Sequence, residues 1–253
     1  MAASLHLTAL PGIPPIAPGD DLPAITCAGL ERAGLALERG DVLVYAQKIV
    51  SKAEDRFVDL AAVAPGPRAR ALAAETGKDA RLVEVILGES TEVLRHRPGL
   101  IVVVHRLGFV LANAGVDRSN VEDGGERVLL LPADPDASCA RLRDGLRRRA
   151  GVDVGVMIND SVGRAWRTGT VGMALGLHGV AAIRDLKGRP DMFGRPLETS
   201  EVAVADELAA AASLVQGQAD EATPIVHVRG FAGTDGGTGA QALLRTPDAD
   251  LFR

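Results

Sequence analysis

Only two cysteines, Cys27 and Cys139, stand in the 253 residues, and neither belongs to a Cys-x-x-Cys pair. That excludes a cysteine-based zinc site and a disulfide framework, and leaves both thiols to act as small hydrophobes. Aromatic residues make up 3% of the chain, too few for platforms on which bases stack. The formal net charge is -5, so no general attraction to nucleic acid or to an anionic membrane is expected. No apolar run reaches membrane-spanning length, and Met1-Ala2-Ala3-Ser4-Leu5-His6 does not read as a leader, which points to a cytoplasmic protein. No Gly-Lys-Ser/Thr follows a glycine loop, and neither GxGxxG nor Gly-x-Ser-x-Gly occurs. His6, His96, His105, His178 and His227 are scattered without metal-ligand spacing.

What remains is an ordinary globular composition, 47% hydrophobic and 24% charged, in a chain long enough for one large domain or two small ones. The prolines of Leu10-Pro11-Gly12-Ile13-Pro14-Pro15-Ile16-Ala17-Pro18 dictate an extended, stiff loop. A helix is expected over 22–37 and a buried strand over 42–46. Residues 59–99 read as mostly helical, broken at Pro65-Gly66-Pro67. Strands over 101–105 and 108–114 form a hairpin, followed by a polar loop over 115–120 and a strand over 128–131. Asp134-Pro135-Asp136 starts a helix, with Asp134 as its cap. A helix over 202–215 closes at Gly217, and a strand covers 224–228. Glycines from Gly230 to Gly239 make a tail loop before residues 240–245. With no linker and no repeat, the expectation is an α/β chain forming one domain over 1–253, with room for two interwoven subdomains.

The densest polar cluster follows an apolar run: Val156-Met157-Ile158-Asn159-Asp160-Ser161-Val162-Gly163-Arg164-Ala165-Trp166-Arg167. The apolar part reads as a strand that ends at Asp160 and Ser161, placing them at the mouth where ligands bind α/β sheets. A carboxylate and a hydroxyl suit a hard cation such as magnesium, and the two arginines suit phosphate or carboxylate. A strand end also carries Asp or Ser merely to cap the next helix. Asp117 and Asn120 offer a second carboxylate and an amide, or only an ordinary turn. Lys48 and Lys52 are either solvated lysines or point charges for a triphosphate. Gln216-Gly217-Gln218 reads most simply as a glycine-terminated helix end.

Taken in order, these segments resemble the coenzyme F-420 gamma-glutamyl ligase family over nearly the whole length. The resemblance rests on Leu10-Pro11-Gly12-Ile13-Pro14, Gly19-Asp20-Asp21-Leu22, Lys48-Ile49-Val50-Ser51-Lys52, Arg106-Leu107-Gly108-Phe109, Ala114-Gly115-Val116-Asp117-Arg118-Ser119-Asn120-Val121, Leu131-Pro132-Ala133-Asp134-Pro135-Asp136, Ile158-Asn159-Asp160-Ser161, Glu201-Val202-Ala203-Val204 and Val228-Arg229-Gly230. It implies a mixed α/β ligase fold assembled as an intertwined homodimer, here without the C-terminal flavin reductase domain of some relatives. The implied activity is GTP-dependent addition of L-glutamate to a deazaflavin precursor through an acyl phosphate, with two magnesium or manganese ions and potassium. The implied roles are Asp117 and Asp160 on the first metal, and Ser161 with Gln218 on the second. Ile13, Pro14, Pro15, Ile16, Gln47, Lys52, Asn120, Gln216 and Gly217 contact the nucleotide; Arg164 and Arg167 are read from their own chemistry, not from the resemblance, as holding an anionic substrate or phosphate. Departures from the family pattern are Gln47 in place of Ser or Thr, Asn159-Asp160-Ser161 in place of Thr-Asp-Thr, and Gln218 in place of Glu. A same-scaffold ligase for another carboxylate and amino acid, or a nucleotide-binding non-catalytic paralogue, remains open at this point.

Overall fold

The computed structural model describes residues 4–118, 126–234 and 239–251. The main sheet takes its strands from both ends and the middle of the chain. These are β1 (His6–Ala9), β2 (Val42–Ala46), β8 (Gly155–Arg164), β9 (Arg167–His178) and β12 (Ile225–Arg229), in the order β1-β12-β2-β8-β9. Only β2 and β8 run parallel, from Val42 beside Gly155 to Ala46 beside Asn159. The other neighbours are antiparallel.

Val42, Leu43, Val44, Tyr45, Val156, Met157 and Ile158 are all fully buried, so both sheet faces are covered, as an unbroken Val/Ile/Leu run requires. Helix α6 (Val204–Gln216) lies across β9, β8, β2, β12 and β1. Helices α1 (Leu22–Arg32) and α5 (Pro135–Ala150) pack on each other, and α5 also packs on β8 and β9. Two glycines in β9 permit these contacts. A Cβ at Gly172 would stand 2.4 Å from Ala209 O on α6, and one at Gly176 would stand 2.6 Å from Pro135 on α5. As expected, Asp134 caps α5 by accepting from Ala137 N at 3.0 Å.

Between β2 and α5 the chain builds a second, smaller core. Helix α2 (Gln47–Ala53) buries Ile49 and Val50 in the main core on the way, and the smaller core itself contains helices α3 (Pro67–Thr76) and α4 (Ala80–Gly88). It also contains the ribbon β3 (Phe57–Asp59) with β7 (Arg127–Leu129), and the antiparallel sheet β4 (Ser90–Arg97), β5 (Leu100–His105) and β6 (Val110–Ala112). Leu60, Leu72, Val83, Ile86, Ile101, Val103 and Val128 are among its buried residues. A short ribbon, β10 (Arg184–Asp185) with β11 (Glu201–Val202), completes the elements. No helix among the described residues is long and apolar enough to cross a membrane.

Four expectations from the sequence are corrected. The helix begun at Leu22 stops at Arg32, because Gly34 follows with a positive φ of 67°. The stretch 59–99 is not mostly helical at its end: residues 90–97 pair with β5 as an edge strand. β1 was not anticipated. Most consequentially, β8 does not end at Asp160. It continues to Arg164 and turns at Trp166 (φ 65°) into β9, a strand that was likewise not foreseen. Beyond Asn159, where β2 has ended, β8 runs on paired with β9 alone, from Asp160 beside Met173 to Arg164 beside Arg167.

Candidate functional site

A cleft of about 200 Å³ opens where β2 ends. β2 passes into α2 without a spacer, since Ala46 still has extended geometry and Gln47 is already helical. This junction places Gln47, Lys48 and Lys52 on the cleft wall, with the two lysines one helical turn apart. Gln47 is buried, and its Oε1 accepts from Ser51 Oγ at 3.0 Å. Asn159, Asp160 and Ser161 form the facing wall from the middle of β8.

The last turn of α6 and the loop after it close the cleft. Buried Asn159 donates through Nδ2 to Gln216 Oε1 at 2.9 Å and to Ala209 O at 3.1 Å. Gln216 Nε2 in turn donates to Pro224 O at 3.3 Å, which also accepts Ala46 N at 2.8 Å. Gln218 Nε2 donates to Ser213 Oγ at 3.1 Å. Gly217 has φ 73° and ψ 177°, a conformation that favours glycine. Backbone N–H groups of Ala219, Glu221 and Gln218 hold the Glu221 carboxyl below its ordinary value.

Asp117 reaches the same place from the smaller core. Asn113 (φ 51°), Ala114 (φ 55°) and Gly115 (φ 66°) make a tight left-handed reversal after β6. Asp117 then exchanges two 2.9 Å backbone hydrogen bonds with Leu129. Its Oδ2 lies 2.8 Å from Lys48 Nζ, and both side chains are half-buried. Asp160 feels both partners. Burial pushes its carboxyl up, and the Asp117 charge adds to that, while Ser161 N and Lys48 pull the other way, leaving it raised to about 7.

The structure thus gathers Gln47, Lys52, Asp160, Ser161, Gln216, Gly217 and Gln218 on one cleft, with Asp117 joined through Lys48. Other candidates lie elsewhere. Ile13 and Ile16 are buried in the main core, Pro14 and Pro15 are exposed, and none of the four lines the cleft. Arg164 and Arg167 flank the β8–β9 turn away from the cleft lining, and buried Arg164 Nε has no hydrogen-bond partner. Asn120 lies outside the described residues. Asn159, Ser213 and Glu221 were not singled out from the sequence. Asn159 carried a signal, because an amide ending an apolar run must find buried partners.

Among the described residues no three of His, Cys, Asp and Glu cluster as metal ligands. Two carboxylates, a hydroxyl and an amide oxygen nevertheless suit magnesium or manganese, which keep several positions for water and substrate phosphates. The Lys48 ammonium beside Asp117 is itself a stand-in cation.

The model of the family described as F420-0:Gamma-glutamyl ligase matches residues 12–230. A protein of Methanothermobacter thermautotrophicus named Coenzyme F420:L-glutamate ligase is 46% identical over 253 residues, spanning 98% of this chain and 99% of its own. Its namesake from Methanopyrus kandleri is 46% identical, over 94% of this chain and 93% of its own. That from Archaeoglobus fulgidus is 42% identical, over 96% and 94%.

Proposed function

The chain belongs to the F420-0:gamma-glutamyl ligase family, and from that premise we propose that it joins L-glutamate to a deazaflavin precursor of coenzyme F420, using GTP. The observation that carries this reading is the cleft itself. Asp160 lines it with hydroxyl and amide oxygens and two lysines at the end of β2, and Asp117 is joined to it through Lys48. That set neutralises and positions phosphates, and phosphoryl transfer asks little else of a protein.

The acceptor carboxylate attacks the γ-phosphorus of GTP. The bond from that phosphorus to the bridging oxygen breaks, GDP leaves, and an acyl phosphate forms. The glutamate amine then attacks the acyl carbon, phosphate leaves, and the amine's extra proton passes to solvent. Further turns add γ-linked glutamates. Asp117 and Asp160 would hold a first divalent cation, and Ser161 and Gln218 a second. Bound there, magnesium or manganese supplies positive charge against the phosphates, with potassium as a further cation. Lys52 would meet a phosphate, and Gln47, Gln216 and Gly217 would shape the nucleotide's seat. With Ile13 and Ile16 in the core, nucleotide contact from that segment would come from Pro14, Pro15 or the backbone.

Arg164 and Arg167 lie off the cleft, at a hairpin end where Trp166 is 87% exposed. Their proposed hold on an anionic group therefore reads as work at the cleft of a second protomer in a homodimer. The reaction is assigned to the cytoplasm.

The test is a turnover assay with deazaflavin precursor, L-glutamate, manganese and either GTP or ATP, read by mass spectrometry. A gain of glutamyl units with GTP supports the reading and counts the additions. No gain with any nucleotide overturns it.

A further inference from the structure

Two carboxylates that share a half-buried cleft repel each other unless a cation stands between them. Here the chain itself sets a cation against one of them, on the cleft that the other lines. Lys48 is the second residue of α2, and its ammonium lies 2.8 Å from Asp117 while acting also on Asp160. Its backbone is fixed from both sides. Buried Gln47 is tied to Ser51 before it, and fully buried Val50 packs into the main core after it. The four-carbon stem, by contrast, can swing. A divalent ion seeking Asp117 must therefore displace Lys48, and doing so brings two cations together. An arriving phosphate removes that conflict, because it gives the displaced ammonium an anion on the same cleft.

We propose that Lys48 is a tethered counter-ion that holds the Asp117–Asp160 pair in the empty cleft and yields it to a divalent cation only together with a phosphate-bearing ligand. Metal and nucleotide then bind as one unit, each raising the affinity of the other through the same lysine. This positioning role rests on the ligase reading, which names the ligand that brings the phosphate.

The test is Mn2+ binding, followed by the paramagnetic resonance of the free ion, with and without GDP. The wild type is compared with Lys48→Met, which keeps the stem and removes the charge, and Lys48→Arg, which keeps the charge. The wild type should bind Mn2+ weakly alone and on the order of tenfold or more tightly with GDP, a coupling of ordinary size. Lys48→Met should bind Mn2+ alone about tenfold more tightly than the wild type and lose most of the GDP enhancement. Lys48→Arg should keep the wild-type pattern. Unchanged metal-only affinity in Lys48→Met, or an undiminished GDP effect, overturns the proposal while leaving the ligase reading intact. Failure of GDP to bind the wild type at all overturns both.

Discussion

Asn159 on β8 and Gln216 at the end of α6 are joined amide to amide at 2.9 Å beneath the cleft, and with the Asn159 bond to Ala209 O this ties the helix end to the sheet. Truncating Asn159 to Ala leaves the Gln216 oxygen and Ala209 O without that donor. Stability should fall by about 1–3 kcal/mol, the cost of orphaned buried polar groups. The Gln216–Gln218 wall should loosen as well, raising KM for the nucleotide. A urea midpoint equal to the wild type's would show that the pair carries nothing.

Asp160→Asn should separate folding from function. The substitution removes a charge that burial and Asp117 disfavour, so the metal-free protein should be at least as resistant to heat as the wild type. Ligation should drop by roughly a hundredfold or more, since a preorganised charge facing the phosphates is gone. Substantial residual turnover would remove Asp160 from the chemistry.

The acidity of Asp160 sets the direction of a pH effect. Its carboxyl is raised to about 7 in the fold, chiefly by burial, whereas in an unfolded chain it ionises near pH 4. The native state thus holds the proton more tightly, and the metal-free fold loses stability as pH rises through that window. A cation must displace the same proton, so its affinity should weaken about tenfold per pH unit below 7. The rise in melting temperature that Mn2+ gives in the presence of GDP should be clear at pH 8 and nearly absent at pH 5.5. An equal rise at both would contradict the assignment.

At the opposite end of β2 the sign reverses. Burial pushes the Asp41 carboxyl up, but hydrogen bonds from Arg229, His227 and Glu38 N outweigh it and leave it below the ordinary value. Asp41 therefore contributes stability that is complete above its unfolded value, near pH 4, and is lost as pH falls through the lower folded value. Asp41→Ala, which leaves buried His227 Nε2 without its partner while Arg229 keeps Glu38 and Ala36 O, should cost about 1–3 kcal/mol at pH 7. The deficit should shrink in acid, where the wild type loses the same interaction. A pH-independent difference in chemical denaturation would exclude this account.

Local chemistry made the main strands and α5 readable. Val42–Ala46 is an unbroken apolar run, and Asp134-Pro135 announces a helix start in any context. The β8–β9 hairpin was missed because polar Asn159, Asp160 and Ser161 look like a strand's end, whereas only pairing with β9 shows that they lie within it. The chemistry-bearing residue types of the cleft were visible. Their arrangement was not, since the Lys48–Asp117 contact follows a left-handed reversal at Asn113 and Ala114, and alanine seldom adopts positive φ. Gly217 showed itself as a helix stop, but the backbone conformation that favours glycine there, φ 73° with ψ 177°, appears only in three dimensions.

Asp117 descends from the turn that packs into the smaller core, and Asp160 belongs to the main sheet. Whatever sits between them is a strut across two separately built parts of the molecule. When it leaves, Lys48 still braces that crossing, beside the packing of β6 on β8 and of α2 on β7. A cleft occupant thus adds to the contacts through which the two cores melt as one body.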